Sequence, residues 1–390
     1  MHGLAIYFLV VLLIQAFSIT MLILNYRLIP KLAPGVYKSP VDSAPLVTVI
    51  VPARNEEANI ERCVLSLLSQ DYPNFELIVV NDRSSDSTGE ILERLAKRDE
   101  RLRVIHGVEP PAGWMGKNHA IYQGVARAKG DYLLFVDADL QLERECLTQA
   151  VGFAMERGSD LLTLLPKLIN RTFWERVVQP SIGQLVLTWF PAGLINDPRR
   201  KKVASANGPF MMFNRKAYEQ IGGHEAVKGD IVEDLALARM IKQSDHRLSY
   251  VLGIDLARLR MYTSLKEIWN GWSKNFYVGV GGNAVGAIIA MIGMFALFLL
   301  PWLLGPAALI IWASGAQSAG WTAAGALAVL LSAVLWRRIQ DALYRGEAHT
   351  AWLQALGFSV VLGILANSTF LALTGRKVGW KGREQKIEIR

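Results

Sequence analysis

The chain has little cysteine and lacks the glycine motifs of the common nucleotide-binding folds. Its only two cysteines, Cys63 and Cys146, do not have the spacing of metal ligands, so we predict buried packing residues and no zinc site. No Gly-X-Gly-X-X-Gly follows the first predicted strand, and no Gly-X-X-X-X-Gly-Lys-Ser/Thr occurs. These absences disfavour a dinucleotide-dependent enzyme and an ordinary ATPase.

Charged residues are missing from long stretches of the chain. Leu4 to Leu24 is uncharged, and Asn275 to Trp336 contains no Asp, Glu, Lys, Arg or His. Because about 20 apolar residues cross the hydrocarbon core, the first stretch predicts one span and the second predicts two. The first has no basic n-region or cleavage site, which indicates a retained anchor. A turn at Pro301 and Pro306, or alternatively at Gly315, would separate the later two spans.

These composition shifts divide the chain into four predicted parts. They are an N-terminal transmembrane anchor (1–30), a catalytic-sized domain (45–275), a C-terminal transmembrane region (276–375) and a basic tail (376–390). Arg27, Lys31 and Lys38 follow the uncharged stretch Leu4 to Leu24, so the positive-inside rule predicts a cytoplasmic middle domain. A further apolar stretch at 352–373 would then place the basic tail outside, unless one segment is re-entrant or interfacial.

The formal charge of +8 by itself would admit a nucleic-acid partner. The densest basic cluster, Arg199 to Lys202, however, closely follows the apolar and aromatic run Leu187 to Leu194. This combination favours an anionic membrane surface, and no nucleic acid is expected. A solvated basic loop beside a core segment is the open alternative.

The middle domain alternates predicted strands and helices. Apolar runs at 47–51, 75–80, 103–105 and 131–136 read as strands, and helical patterns begin near Ile60, Ser87 and Gly116. This alternation predicts an α/β domain with a mainly parallel sheet, which collects its ligands at the carboxyl ends of the strands.

Polar clusters follow three of these strands, at 52–57, 81–86 and 137–139. Asp137 and Asp139 supply two carboxylates, which suit Mg²⁺ or Mn²⁺ bound together with substrate phosphates. Lys117 opens a helix whose backbone N–H groups favour a diphosphate, although an exposed lysine at a helix start is an equally open interpretation. The three clusters together predict a site for a nucleotide diphosphate.

The ordered motifs resemble the family 2 glycosyltransferases of the GT-A fold. The matching text is Val49-Ile-Val-Pro-Ala-Arg-Asn-Glu-Glu57, Val79-Val-Asn-Asp-Arg-Ser-Ser-Asp-Ser-Thr88, Gly113-Trp-Met-Gly-Lys-Asn118, Asp137-Ala-Asp139 and Val232-Glu-Asp-Leu235. With its flanking anchors, the chain is similar to the membrane-bound hopanoid-associated and carotenoid (diaponeurosporenoate-type) members.

The resemblance implies a role for each matching residue. The nucleotide-sugar donor would contact Pro52, Ala53, Glu56, Asp82, Lys117, Asp137 and Asp139, with Asp139 and Asp137 at the metal. Asp234 corresponds to the catalytic base, which must deprotonate the acceptor on the sugar face opposite the leaving diphosphate. An ordinary acidic pair in the first turn of a helix is the alternative for Glu233 and Asp234.

Residues on the acceptor side are predicted from their chemistry. Gly208 allows close backbone approach within an apolar run, although that run equally suits a core strand. Trp269, Trp272 and Lys274 suit an acceptor entrance at the membrane surface, or an interfacial anchor without a catalytic part. Glu233 is placed on the same side, next to the base.

The resemblance implies a metal-dependent, inverting enzyme in a bacterial-type cell membrane, multi-pass, with a cytoplasmic catalytic domain. It would move one sugar from UDP-glucose or a similar donor to a membrane lipid of hopanoid, carotenoid or glycerolipid type. The Gln-X-X-Arg-Trp motif of processive members does not follow the acidic pair, which favours single transfer. A processive polysaccharide synthase and a non-catalytic membrane scaffold with the GT-A fold are the alternatives.

Overall fold

The computed structural model of the chain describes residues 2–38, 44–189, 191–380 and 383–386. They form two compact units. The α/β unit comprises Leu28–Ile169 and Ala192–Met261, and the helical unit comprises Met1–Arg27, Asn170–Pro191 and Tyr262–Arg390. The predicted domain boundaries stay predictions, and residue 1 of the predicted anchor and residues 381–382 and 387–390 of the predicted tail lie outside the described residues.

The α/β unit contains ten strands and eight helices among its described residues, numbered here along the whole chain. The strands are β1 (Val47–Ala53), β2 (Phe75–Asn81), β3 (Leu102–His106), β4 (Tyr132–Val136), β5 (Leu140–Leu142), β6 (Leu161–Leu165), β7 (Lys167–Leu168), β8 (Phe210–Asn214), β9 (Leu248–Leu252) and β10 (Ala257–Leu259). The helices are α2 (Ile60–Leu68), α3 (Thr88–Ala96), α4 (Gly116–Val125), α5 (Cys146–Arg157), α7 (Ala192–Ile195), α8 (Arg215–Gln220), α9 (Gly223–Ala226) and α10 (Glu233–Gln243).

Seven strands form the main sheet in the order β3-β2-β1-β4-β8-β6-β9. All neighbours pair in parallel except β8, which is antiparallel to β4 and to β6. A smaller sheet has the order β5-β10-β7. The α/β class and the mainly parallel sheet predicted from the sequence are therefore confirmed.

The central strands are apolar because helices cover both faces of a parallel sheet. In β1 all residues but Pro52 are buried, and β2 and β4 are buried almost throughout. Parallel pairing also brings the carboxyl ends of β1 and β2 together, since Ala53 and Asn81 are register partners. The polar clusters that follow these strands consequently meet at one edge of the sheet.

The helical unit consists mainly of long apolar helices. They are α1 (His2–Leu28), α6 (Phe173–Trp189), α11 (Leu265–Gly279), α12 (Ala284–Met294), α13 (Leu300–Ala313), α14 (Gly320–Tyr344) and α15 (Gln354–Thr374). A π-helical turn at Phe295–Leu299 joins α12 to α13, and 3₁₀ turns at Gln317–Ala319 and Ala348–Leu353 precede α14 and α15. Strands β11 (Lys377–Trp380) and β12 (Arg383–Lys386) pair antiparallel.

Four helical stretches are long and apolar enough to cross a membrane, judged by length and composition. They are His2–Leu28, Ala284–Ala313, Gly320–Tyr344 and His349–Thr374. The uncharged stretch from Asn275 to Trp336 thus contributes to two of them, as predicted. Of the two predicted turns, the structure has the one at Gly315, whose φ of 100° suits glycine.

Helix α6 carries a proline that is compensated by neighbouring helices. Pro180 has no N–H, so the carbonyl of Arg176 one turn earlier loses its helical donor. Arg337 Nη2 and Thr350 Oγ1 donate to this carbonyl at 3.2 and 3.1 Å. Gln340 Nε2 donates to the Pro180 carbonyl at 3.0 Å. Such polar contacts fix α6 inside an otherwise apolar unit.

Candidate active site

The loops after β1 and β2 are tied to each other. The Asp82 N–H donates to the Ala53 carbonyl at 2.8 Å, and Arg54 Nη1 donates to the Asp82 carbonyl at 2.7 Å. Asn55 and Arg83 both adopt positive φ angles, 51° and 55°. Two non-glycine residues in this region indicate a local conformation that the surrounding contacts enforce.

The carboxylates after β1 and β4 gather around the buried thiol of Cys63. Burial raises the pKa of this thiol well above its usual range, and three nearby negative charges raise it further. Those charges belong to Asp139, Glu56 and Asp137. Cys63 is therefore an inert packing residue, as predicted. Because all three carboxylates act on the same thiol, these residues of the predicted donor side lie close together.

Lys117 links the donor-side carboxylates to the acidic pair. Its Nζ lies 2.8 Å from Asp137 Oδ1 and 2.8 Å from Glu233 Oε1. Although burial lowers the pKa of Lys117, Asp137 and Glu233 raise it well above its usual range. The ammonium therefore stays charged and holds together two carboxylates that are far apart in sequence.

The surroundings of the Asp234 carboxyl group raise its pKa. Burial and the neighbouring charge of Glu233 raise its pKa to about 6, against the opposing effect of Lys117. Its Oδ1 accepts from the Leu235 N–H at 2.7 Å and its Oδ2 from the Gly208 N–H at 3.0 Å. A carboxylate that titrates near neutral pH is suited to general base work.

Gly208 leaves room for the carboxylate of Asp234, which a side chain at this position would crowd. A Cβ at this position would lie 3.1 Å from Asp234 Oδ2, tighter than usual packing. The next residue, Pro209, accepts from the Asp137 N–H at 3.1 Å. Gly208 thus lies between the base and the donor-side loop, just before the buried strand β8, so the apolar run does include a core strand.

Both members of the acidic pair occupy the first turn of α10, as the alternative interpretation also expected. That interpretation does not account for the contact of Glu233 with Lys117 or of Asp234 with Gly208. These contacts join the pair to residues from other elements, which a surface pair at a helix end does not require.

Asn118 is a site residue that the sequence did not single out for a role. Its buried Nδ2 lies 2.8 Å from the Val227 carbonyl, 3.0 Å from that of Asp230 and 3.3 Å from that of Lys228. This clamp fixes the loop that leads directly into α10. The motif text contained Asn118 next to Lys117, but no sequence signal connects it to residues over a hundred positions away.

The buried histidine in this region is not a rival base. His224 is 1% exposed, and its Nδ1 lies 2.8 Å from the Tyr218 hydroxyl. Burial and the charge of Lys117 lower its pKa to about 3. A histidine that stays neutral and enclosed does not take a proton from a substrate at physiological pH.

Asp137 and Asp139 are the side chains that a divalent metal at this site would use, with oxygens of a substrate or of water completing its shell. Among the residues that the structure describes, no group of three or more His, Cys, Asp or Glu side chains could hold a metal ion. Asp137 and Asp139 are both half-buried, on either side of the buried Ala138. Two carboxylates fit Mg²⁺ or Mn²⁺ when phosphate oxygens complete the shell.

The three remaining acceptor-side residues belong to the helical unit. Trp272 Nε1 donates to Gln179 Oε1 at 2.9 Å, so this indole is held against α6. A Cβ at Gly363 would lie 3.0 Å from the Trp269 ring, which packs against α15. Lys274 lies on α11 with both tryptophans. Their part in acceptor binding stays a prediction.

The mainly parallel sheet, with carboxylates at its strand ends and a helix-borne acidic pair nearby, defines a GT-A type domain. Residues 48–222 match the model described as Glycosyl transferase family 2. This match to part of the chain confirms the resemblance to that family seen in the motifs.

Curated relatives support the same assignment. The 4,4'-diaponeurosporenoate glycosyltransferase of Staphylococcus aureus (strain MRSA252) is 29% identical over 255 residues, which cover 63% of this chain and 64% of the relative. The aligned region thus spans under two thirds of the relative's length. The mannosyltransferase PcManGT from Pyrobaculum calidifontis, solved with GDP-Man and Mn²⁺, has a TM-score of 0.55 at 19% identity, covering 94% of this chain and 99% of that one. This second likeness concerns the fold.

Proposed function

We propose that the protein is a membrane-bound inverting glycosyltransferase that moves one sugar from a nucleotide diphosphate donor to a membrane lipid. UDP-glucose or a close relative is the proposed donor. A hydroxyl or carboxyl group of a hopanoid, carotenoid or glycerolipid is the proposed acceptor. The name of the Staphylococcus aureus relative supports a carotenoid-type acceptor.

The observation that carries the proposal is the bridge made by Lys117. It joins Asp137, on the proposed donor side, to Glu233, the neighbour of the proposed base. An enzyme that transfers a sugar with inversion needs the leaving diphosphate and the attacking oxygen on opposite faces of the anomeric carbon. A charged link between the two sets of carboxylates is consistent with such an arrangement.

Asp234 is proposed to take the proton from an acceptor hydroxyl. The oxygen then attacks the anomeric carbon as the bond from that carbon to the diphosphate breaks, which inverts the configuration. The Gly208 and Leu235 N–H groups orient the carboxylate. Burial keeps its pKa near 6, which makes it a stronger base than an exposed aspartate.

Asp137 and Asp139 are the residues proposed to hold a divalent cation, either Mg²⁺ or Mn²⁺. When bound, such an ion supplies a Lewis acid that neutralises the charge developing on the leaving diphosphate. The backbone N–H groups at the start of α4 are proposed to bind the same diphosphate, because a helix N-terminus favours an anion. Lys117 adds a positive charge there.

A multi-pass location in a bacterial-type cell membrane is part of the proposal. The four apolar helices support it. Arg27 lies in the last turn of the first helix, and Lys31 and Lys38 follow it. These basic residues favour a cytoplasmic position for the α/β unit. Nucleotide-activated donors would then be available on the same side.

The first test is transfer by the purified full chain in detergent. Radiolabelled nucleotide sugars are supplied with Mg²⁺ or Mn²⁺ and total lipid from the host membrane. We expect a single labelled lipid, whose mass identifies both sugar and acceptor. Label in polymer would instead indicate a processive synthase, and the absence of label with every donor and lipid would favour a non-catalytic scaffold.

The pH profile of transfer is predicted from the surroundings of Asp234. Because the base must be ionised, kcat/KM should fall about tenfold per pH unit below pH 6. Glu233→Gln removes a charge that raises this pKa, so the acidic limb should move to lower pH. Lys117→Met removes a charge that lowers it, so the limb should move to higher pH.

The opposite directions of these two shifts make the test specific. General damage to the site would lower the rate without displacing the limb. A carboxyl acceptor, which is already ionised at neutral pH, needs no base. The acidic limb would then reflect the pKa of the acceptor's own carboxyl group and would be the same in all three proteins. Unshifted limbs with a hydroxyl acceptor would contradict the role of Asp234.

A further inference from the structure

The basic cluster seen in the sequence forms an exposed turn of the α/β unit, here called the basic turn (residues 197–203). Arg199, Arg200, Lys201 and Lys202 are all exposed. Two are tethered: Arg199 pairs with both Asp197 carboxylate oxygens at 3.0 Å, and Lys201 Nζ lies 2.5 Å from Asp245 Oδ1. Four positive charges against two negative ones leave the turn basic.

The basic turn closes around the ammonium group of Lys242. This side chain from α10 is 2% exposed. Its Nζ donates to the carbonyls of Val203 at 2.7 Å, Ile195 at 2.8 Å and Asp197 at 3.0 Å, and lies 3.3 Å from that of Leu194. An ammonium group has three donors, so the backbone of the turn and of the residues just before it can satisfy all of them.

Further contacts fix the ends of the segment that contains the turn. Asn196 exchanges two hydrogen bonds with the backbone of Tyr250 in β9, at 3.0 and 2.7 Å. At its other end Gly208 donates to Asp234. Helix α10 therefore holds the segment twice, through Lys242 near its last turn and through Asp234 in its first. The exposed charges project from a preorganised backbone.

We propose that the basic turn binds the phosphate groups of anionic phospholipids at the membrane surface. The same chain has four helices suited to crossing a bilayer. Helix α6 packs against two of them, α14 and α15, and it ends at Trp189, ten positions before Arg199 in the sequence. Leu194, 41% exposed, adds an apolar side chain beside the turn. Basic and apolar side chains together suit an anionic lipid surface.

The binding test is native mass spectrometry of the full chain in detergent with phosphatidylglycerol or phosphatidylcholine. We expect retained phosphatidylglycerol, weakened by salt. The double variant Arg200→Ser/Lys202→Ser should reduce its affinity about thirtyfold, since each basic residue near an anionic surface contributes roughly fivefold. Lys97→Ser/Arg98→Ser removes the same charge from an exposed site after α3 and should change nothing. Equal loss in both variants, or loss in neither, would overturn the proposal.

A second readout, which rests on the proposed function, is transfer in nanodiscs. Phosphatidylglycerol should stimulate the native chain and the Lys97/Arg98 variant but not the Arg200/Lys202 variant, because only the first two keep the basic turn. If no sugar is transferred in any lipid, the proposed function fails while the lipid-retention result still decides on the basic turn. Equal stimulation of all three would contradict any effect of the turn on transfer.

Discussion

Replacement of Asp234 by asparagine is expected to stop sugar transfer to a hydroxyl acceptor while the donor still binds. The amide has nearly the same shape but cannot take a proton from the acceptor. Removal of a general base typically costs 10²-fold to 10⁴-fold, and we expect a loss of about 10³-fold in kcat. Donor affinity, measured by calorimetry with the nucleotide diphosphate and metal, should change little, because the proposed role of Asp234 is toward the acceptor.

The same variant should reveal the raised pKa through stability. The folded chain raises the pKa of Asp234 from 3.8 to about 6. Between these values the folded state binds more protons than the unfolded state, so the native chain loses stability as pH rises from about 4 to 6. Asparagine cannot titrate. As pH rises over that range, the free energy of unfolding of the variant should therefore increase relative to that of the native chain by at most about 3 kcal/mol. Thermal unfolding in detergent from pH 4.5 to 7.5 measures the difference.

A separate cost in the variant does not depend on pH. The asparagine amide group can accept only one of the two N–H bonds that Asp234 receives, so the variant loses a hydrogen bond throughout the range. Glu225→Gln, at an exposed carboxylate of α9, is the matched control and should leave both transfer and the pH trend unchanged. Retained transfer in Asp234→Asn would exclude it as the base, and a difference that stays constant with pH would show an ordinary pKa.

The sheet and the donor side of the site were predictable because local patterns determine them. The runs that form β1, β2 and β4 are apolar on both faces. This pattern is typical of strands in a parallel sheet that is covered by helices on both sides. Once the strands run parallel, the residues after them must meet at one edge. Glu56 and Asp139 could therefore be grouped from sequence, and the charges around Cys63 agree with that grouping.

The contacts of the acceptor side were not predictable in the same way. The bonds of Lys117 to Glu233 and of Asn118 to the loop before α10 join residues more than a hundred positions apart. No periodicity or motif spacing encodes such pairs, since they follow from how separate elements pack. The burial of Lys242 could not be predicted either. A lysine late in a helix is typical of a solvated charge, but the ammonium group of Lys242 is buried among backbone carbonyls.

Asp139→Ala is expected to abolish metal-stimulated transfer without changing the fold. Loss of one of the two proposed protein ligands should lower the rate about 10²-fold to 10³-fold, the range typical for removal of a group that stabilises developing charge. Raising the Mn²⁺ concentration should restore part of the rate if the metal site is weakened, which distinguishes a ligand from a residue that only shapes the loop. Glu143→Gln, at a carboxylate paired with Arg258 on the surface, should behave like the native chain.

Direct metal binding should depend on the nucleotide. Since the described part of the chain offers no cluster of three or more ligating side chains, two carboxylates alone should hold Mn²⁺ weakly, and a diphosphate should complete the shell. Electron paramagnetic resonance of free Mn²⁺ is therefore expected to show retention by the native chain only after a nucleotide diphosphate is added. Tight retention without nucleotide would require ligands beyond Asp137 and Asp139. An unaltered rate in Asp139→Ala would remove the metal assignment, because a ligand of the metal that neutralises the leaving diphosphate cannot be lost without slowing transfer.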